Sequence, residues 1–205
     1  MYMLDLQNEF GNIDIYLFDQ LLKGRYLPCK RILDVGCGGG RNSYFFLKNG
    51  YEVYGLDQQP EAIEHIQNLA RSVVSDYPLD RFICSPIVDM PYEDGYFDLI
   101  LCNAVLHFSR NHEHFDQMLR QIWRVLQPGG YFFCRLSSTI GVQEFVKSLG
   151  KGRYELPNGT QWYLVDEQQL LDYTELLKGE WVEVIKTTNV QNQRAMTTWC
   201  LRKSE

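Results

Sequence analysis

The stretch Ile32-Leu33-Asp34-Val35-Gly36-Cys37-Gly38-Gly39-Gly40-Arg41-Asn42 constrains this chain more than any other. Ile32 to Val35 reads as a short buried strand that the glycines end. Apolar spacing resumes at Tyr44, Phe45, Phe46 and Leu47, which predicts a helix from about Arg41. A strand, a glycine-rich turn and a helix N-terminus gather backbone N–H groups around one small volume, and glycine lets that backbone turn tightly and touch a ligand. The junction suits a nucleotide-like molecule. It is not the dinucleotide fingerprint, because Arg41 stands at the third glycine position, and no Gly-Lys-Ser/Thr triplet follows to make a P-loop.

Downstream, Tyr51 to Asp57 alternates as a second strand, and Pro60 opens a helix to about Val74. Asp57 ends the strand about 20 residues beyond the glycines, the spacing at which an acid accepts from ribose hydroxyls. A third short strand, Arg81–Cys84, leads to Ile87-Val88-Asp89-Met90-Pro91, where the proline constrains the loop. Phe97-Asp98-Leu99-Ile100-Leu101-Cys102-Asn103 is apolar almost throughout, the pattern of a strand buried on both faces of a parallel sheet. Phe115, Met118, Leu119, Ile122, Trp123 and Leu126 mark an amphipathic helix. Gln127-Pro128-Gly129-Gly130 ends it before a fifth strand, Tyr131–Leu136. Asp166 with Gln169 is a capping-box pattern for a helix to about Lys178. Trp181–Lys186 and Ala195–Leu201, around a polar turn, are a closing antiparallel pair.

The glycine turn, Asp57, Asp89, the fourth strand and Leu126-Gln127-Pro128-Gly129-Gly130 together resemble the class I S-adenosylmethionine (SAM)-dependent methyltransferases. The likeness covers about residues 30–202. It implies an α/β fold: a three-layer, Rossmann-like, doubly wound sheet of seven strands in order 3-2-1-4-5-7-6, one of them antiparallel. It implies SAM as cofactor and S-adenosylhomocysteine as product. Gly36, Cys37, Gly38 and Gly40 would then admit the amino-acid end and sugar, with Asp34 beneath, ordering the turn or holding the methionine ammonium. Asp57 and Gln58 would hold ribose, Asp89 and Met90 adenine, and Arg41 and Asn42 the carboxylate. Asn103 would border the cofactor from the end of the fourth strand. The Gly-Gly-Gly-Arg-Asn turn and short closing hairpin look like the tellurite-resistance and thiopurine-type branch. Asn103-Ala104-Val105-Leu106 is not the Asn/Asp-Pro-Pro-Tyr motif of amino-methylating nucleic-acid enzymes, and no metal-ligand cluster marks a catechol-type enzyme.

His107 lies just past the fourth strand, where ligands sit in such sheets. It reads as a general base or as a side chain that shapes the pocket. His112 and His114, at i and i+2, do not share a helical face, so they read as exposed and not as metal ligands. Residues 1–28 read as a cap helix begun by Asp14; it either packs on the sheet or closes over the ligand, with Tyr16 and Phe18 then on the substrate side. Residues 137–165, rich in glycine, read as a substrate-side insertion or a surface loop, with a short helix near Val142–Leu149. Arg135, Lys151 and Arg153 would attract an anionic substrate.

A length of 205 residues suits one domain. A formal charge of −6 argues against a broad nucleic-acid surface and leaves a small-molecule substrate. No apolar run approaches the roughly 20 residues of a membrane span, and Met1 to Asp5 lacks a secretory pattern. Six cysteines without a Cys-x-x-Cys pair read as buried thiols, so the expected compartment is the cytoplasm, as a monomer or homodimer. A SAM-binding sensor or partner subunit without turnover is the alternative from another class. A nicotinamide oxidoreductase is a third, opposed by Arg41 and the closing hairpin.

Overall fold

The computed structural model describes residues 5–205; residues 1–4, the start of the expected cap segment 1–28, lie outside the described residues. Strands β1 (Arg31–Val35), β2 (Glu52–Asp57), β3 (Phe82–Cys84), β4 (Phe97–Asn103) and β5 (Leu126–Ser138) are parallel. The insertion carries β6 (Lys147–Gly150), β7 (Arg153–Glu155) and β8 (Gln161–Tyr163), and the chain closes with β9 (Gly179–Trp181), β10 (Lys186–Val190) and β11 (Arg194–Lys203). The main sheet runs β3-β2-β1-β4-β5-β11-β10, with β9 also on the outer edge of β11. This is the expected order 3-2-1-4-5-7-6, with β11 antiparallel to its neighbours and one strand more.

That extra strand is a correction. The predicted strand Trp181–Lys186 is broken at Val182–Ile185, leaving β9 and β10 as two pieces against one partner. Glu183 in the break is drawn to Lys23, Arg25 and Lys186, at 2.8, 3.0 and 2.9 Å, which pulls the backbone out of the ladder. The helix expected near Val142–Leu149 is also absent. Residues 140–146 are turns, and β6, β7 and β8 form a separate three-stranded antiparallel sheet.

Helices α1 (Leu6–Phe10), α2 (Ile15–Leu22), α3 (Tyr44–Lys48), α4 (Pro60–Val73), α5 (His112–Val125) and α6 (Glu167–Leu176) cover both faces. Alternation along the strands decides the layers. Ile32, Leu99, Leu101 and Phe133 pack with Leu17 of α2, Phe46 of α3 and Ile66 of α4 on one face. Leu33, Ile100, Cys102 and Phe132 pack with Phe115 and Ile122 of α5 and Leu170 of α6 on the other. Asp14 caps α2, its carboxylate accepting from Tyr16 N–H at 2.9 Å. Asp166 caps α6 by accepting from Gln169 N–H at 2.8 Å; the Gln169 amide, however, donates to the Tyr163 hydroxyl, so the capping box is not reciprocal. Five cysteines are buried as expected, but Cys84, at the edge-strand end, is exposed.

Candidate active site

Gly36 leaves β1 with φ +66°, and its N–H donates to Leu56 O at 2.7 Å. A Cβ there would come within 2.4 Å of Val105 Cγ2, so only glycine lets the loop after β4 sit against the turn. Gly40 has φ +78°, and a Cβ would press on Leu69 and Ile66 of α4. Gly38 and Gly39 face open space, with no heavy atom of the described residues within 4 Å of a Cβ built on either. The outer glycines therefore serve packing, and the middle pair leaves open space beside the turn.

Asp57 ends β2 beside this turn. One carboxylate oxygen accepts from Gly38 N–H at 3.0 Å and the other from Gln59 N–H at 3.0 Å. Gly36, Asp57, Gln58 and Gln59 line a cavity of about 750 Å³. Pro86, Ile87 and Val88 form its wall after β3, Ala104, Val105 and Phe108 its wall after β4, and Arg110, His114 and Met118 its side at α5. This is the crevice at the carboxyl ends of the strands, where β1 and β4 diverge.

Other expected residues lie elsewhere. Asp89 is exposed and not among the cavity-lining residues, and Met90 is a core side chain whose carbonyl accepts from Arg124. The 3-10 turn Ile87–Asp89 directs the two preceding residues to the cavity instead. Cys37 is buried on the α4 side, and burial raises its thiol pKa well above the usual range. Asn42 accepts from Asp14 N–H at 3.0 Å, so its amide oxygen ties the start of α2 to the turn. Arg41 reaches the same aspartate, at 3.6 Å. Phe18 packs on Phe10, which stacks on Phe45 of α3, away from the cavity-lining residues.

Tyr16 and Arg135 meet. The Arg135 guanidinium lies 4.8 Å from the Tyr16 ring centroid and donates to Asp14 at 2.9 Å, while the Tyr16 hydroxyl pairs with Thr188. Asn103 is buried, and both its amide atoms are unpartnered among the described residues. Asp34 is buried on the same face and accepts from Ser43 Oγ at 2.7 Å. Burial lifts its carboxyl pKa to about 7, although Ser43 and Arg41 oppose the rise.

His107 is 2% exposed and stacks on Trp162 of β8 at 4.4 Å. Burial, helped by Arg194, lowers its pKa to about 4, so it is neutral at pH 7 and a weak base. His114 is not exposed as expected. It is half-buried in the cavity wall, and its Nδ1 accepts from Arg110 N–H at 3.2 Å. His112 is exposed and pairs with the Tyr163 hydroxyl. Among the described residues, no group of three or more His, Cys, Asp or Glu is placed to hold a metal. None of their helices is long and apolar enough to cross a membrane.

Cavity-lining residues that the sequence does not mark are Gln59, Pro86, Ile87, Val88, Ala104, Val105, Phe108, Arg110 and Met118. Most are apolar residues on loops, indistinguishable in a single sequence from core. Ala104, at φ +62°, gives no composition signal at all.

Comparison with known proteins agrees with this geometry. Residues 33–134 match the family described as a methyltransferase domain. An uncharacterized methyltransferase of Synechocystis is 30% identical over 105 residues, 51% of this chain and 46% of that protein. The ubiquinone biosynthesis O-methyltransferase of Xanthomonas campestris is 28% identical over 176 residues, 76% of this chain and 69% of that protein. The chain thus spans between about half and two thirds of these curated relatives. The structure of the Burkholderia thailandensis 1,6-didemethyltoxoflavin-N1-methyltransferase, with its substrate and S-adenosylhomocysteine bound, superposes with a TM-score of 0.67. It is 20% identical and covers 98% of this chain and 82% of its own. These relatives do not bear on the narrower likeness to the tellurite-resistance and thiopurine-type branch. Strand order, glycine turn and family match together make residues 33–134 a methyltransferase domain, on the Rossmann-like fold of the class I SAM-dependent methyltransferases.

Proposed function

We propose that this chain transfers the methyl group of SAM to a nucleophile on a small molecule and releases S-adenosylhomocysteine. The observation that carries the reading is Asp57: its carboxylate bridges to Gly38 N–H across the open middle of the glycine turn, at one end of the cavity. Each of its oxygens accepts one backbone N–H and keeps a lone pair for a ribose hydroxyl. Gln58 follows it along the same wall. Ile87 and Val88 opposite Met118 offer apolar walls for a flat adenine, the part given from sequence to Asp89 and Met90. The open space beside Gly38 and Gly39 is where the amino-acid end fits, and Asp34 holds that turn from beneath through Ser43.

When bound, SAM supplies a methyl carbon already activated by its sulfonium, so the protein's part is chiefly alignment and exclusion of water. His107 is neutral and weakly basic under Trp162 and is not among the cavity-lining residues, so it does not serve as the base. The small-molecule reading is supported by the relatives' names and by the net charge of −6, which gives a nucleic acid little to bind. Six free thiols support a reducing compartment such as the cytoplasm. We read 1–205 as one methyltransferase domain, with residues 137–165 on the substrate side.

Calorimetric titration with SAM, S-adenosylhomocysteine and NAD tests this. Micromolar binding of the first two, lost by about tenfold or more in Asp57→Ala, is expected. Preferential NAD binding, or none of the three, overturns the reading. Cofactor binding without turnover on any small nucleophile would favour the sensor alternative.

A further inference from the structure

Three neighbouring strands carry, in register, Asn103 on β4, Arg135 on β5 and Thr198 on β11. Their side chains share the face that α2 covers, because Leu101, Phe133 and Cys200, two residues away on each strand, pack there. Asn103 is 8% exposed and Thr198 3%. Among the described residues, each member of this row has buried polar atoms without a partner: both amide atoms of Asn103, Nε of Arg135 and Oγ1 of Thr198. A buried polar atom left unpaired costs about 1–3 kcal/mol, and four side by side point to a group that arrives from outside.

The chemistry of that group follows from the row. Arg135 Nε and Asn103 Nδ2 only donate, so the group must accept at two points, while Asn103 Oδ1 only accepts and is left to a water or to a donor elsewhere on the same molecule. The charge is set by Asp14, a single carboxylate facing both Arg135 and Arg41. Lys186, across β10 from Thr198, is already paired with Glu183 and Asp19. Asp34, on the same face, is spent on Ser43 and is half-neutralised near pH 7 by its burial. The neighbourhood keeps a positive surplus. Lys151 and Arg153 do not add to it: Lys151 is exposed on a turn, and Arg153 donates to Gln161 O.

We propose that Asn103, Arg135 and Thr198 form the polar end of the substrate site and take a carboxylate-type oxyanion of the methyl acceptor. Its body lies beside the Tyr16 ring, which Arg135 holds from the other side. The inference rests on the methyltransferase reading. One other source of the same chemistry exists in that reading, the carboxylate of the cofactor itself.

The test is calorimetry on the full chain, using S-adenosylhomocysteine, methylthioadenosine (which lacks the amino-acid end), and benzoate or its neutral isostere benzamide added to the S-adenosylhomocysteine complex. Wild type is expected to bind benzoate and not benzamide. Arg135→Gln and Thr198→Val are each expected to weaken benzoate by about tenfold while S-adenosylhomocysteine stays within a few-fold. Thr198→Val removes only an unpartnered hydroxyl, so it folds at least as stably as wild type and guards against misfolding of Arg135→Gln. If the variants lose S-adenosylhomocysteine but keep methylthioadenosine, the row holds the cofactor's carboxylate and the proposal falls. It falls too if benzoate does not bind in the millimolar range, binds no better than benzamide, or is unaffected by both substitutions, as for a row that holds water. Failure of S-adenosylhomocysteine itself to bind is a separate result and overturns the methyltransferase reading.

Discussion

Single residues here act through backbone freedom and burial. Gly36 is required because the turn and the loop after β4 approach within the width of one methyl group. Asp34 and His107 are both perturbed by burial, in opposite senses. Asp34, raised to about 7, stabilises the fold fully only below its unfolded pKa near 3.8, and that stability is lost as pH rises through 7. His107, lowered to about 4, adds stability as pH rises from 4 through 6.5. Between those limits the two slopes offset each other. Asp34→Asn keeps an acceptor for Ser43 and removes one slope. Urea unfolding across pH 4–8 is expected to show a nearly flat wild type between pH 4 and 6.5. The variant should gain roughly 3 kcal/mol over the same window. A variant profile parallel to wild type would show that Asp34 titrates normally.

At the scale of elements, α2 and the β9–β10 break are fastened to each other by charge. Burial raises the Glu183 pKa, but hydrogen bonds from Lys23, Lys186, Arg25 and Gln20 outweigh it and bring it down to about 2. Its contribution is therefore present above pH 4.5 and is lost as pH falls through 2. Glu183→Gln is expected to cost about 1–3 kcal/mol at neutral pH and to speed hydrogen exchange in the last turn of α2. Unchanged exchange there would mean that Leu17 and Leu21 alone hold the helix. The same scale explains the insertion. β6, β7 and β8 have no core of their own, and they are positioned by Trp162 on His107 and Tyr163 on Phe115.

For the whole molecule, the cavity opens along the carboxyl ends of strands that must all be in register for it to exist. Ligand binding is thus linked to global unfolding. S-adenosylhomocysteine at a hundredfold excess over its Kd is expected to add about 2.7 kcal/mol, or about 5–10 °C in Tm for a chain this long. NAD at the same concentration should shift it by less than the scatter of the measurement. An equal shift by NAD would mean that the cavity selects only for nucleotides in general.

What the sequence by itself determined is local or periodic. The strand–turn–helix at Gly36 to Gly40, Asp57 at the end of β2, the continuous apolar run of β4 and the caps Asp14 and Asp166 all follow from spacing within a few residues, where covalent connection sets geometry. The strand order also came from sequence, through the family resemblance. Only tertiary structure decided what meets across distance. Asp89 lies outside the cavity lining, and the 3-10 turn Ile87–Asp89 puts Ile87 and Val88 there. Asn42 is tied to Asp14 and Trp162 covers His107 across 28 and 55 residues. The break at Val182–Ile185 holds Glu183 against Lys23 and Arg25, in the turn that follows α2. The row Asn103, Arg135 and Thr198 exists only through strand register, and no spacing along the chain encodes which residues three separate strands bring side by side.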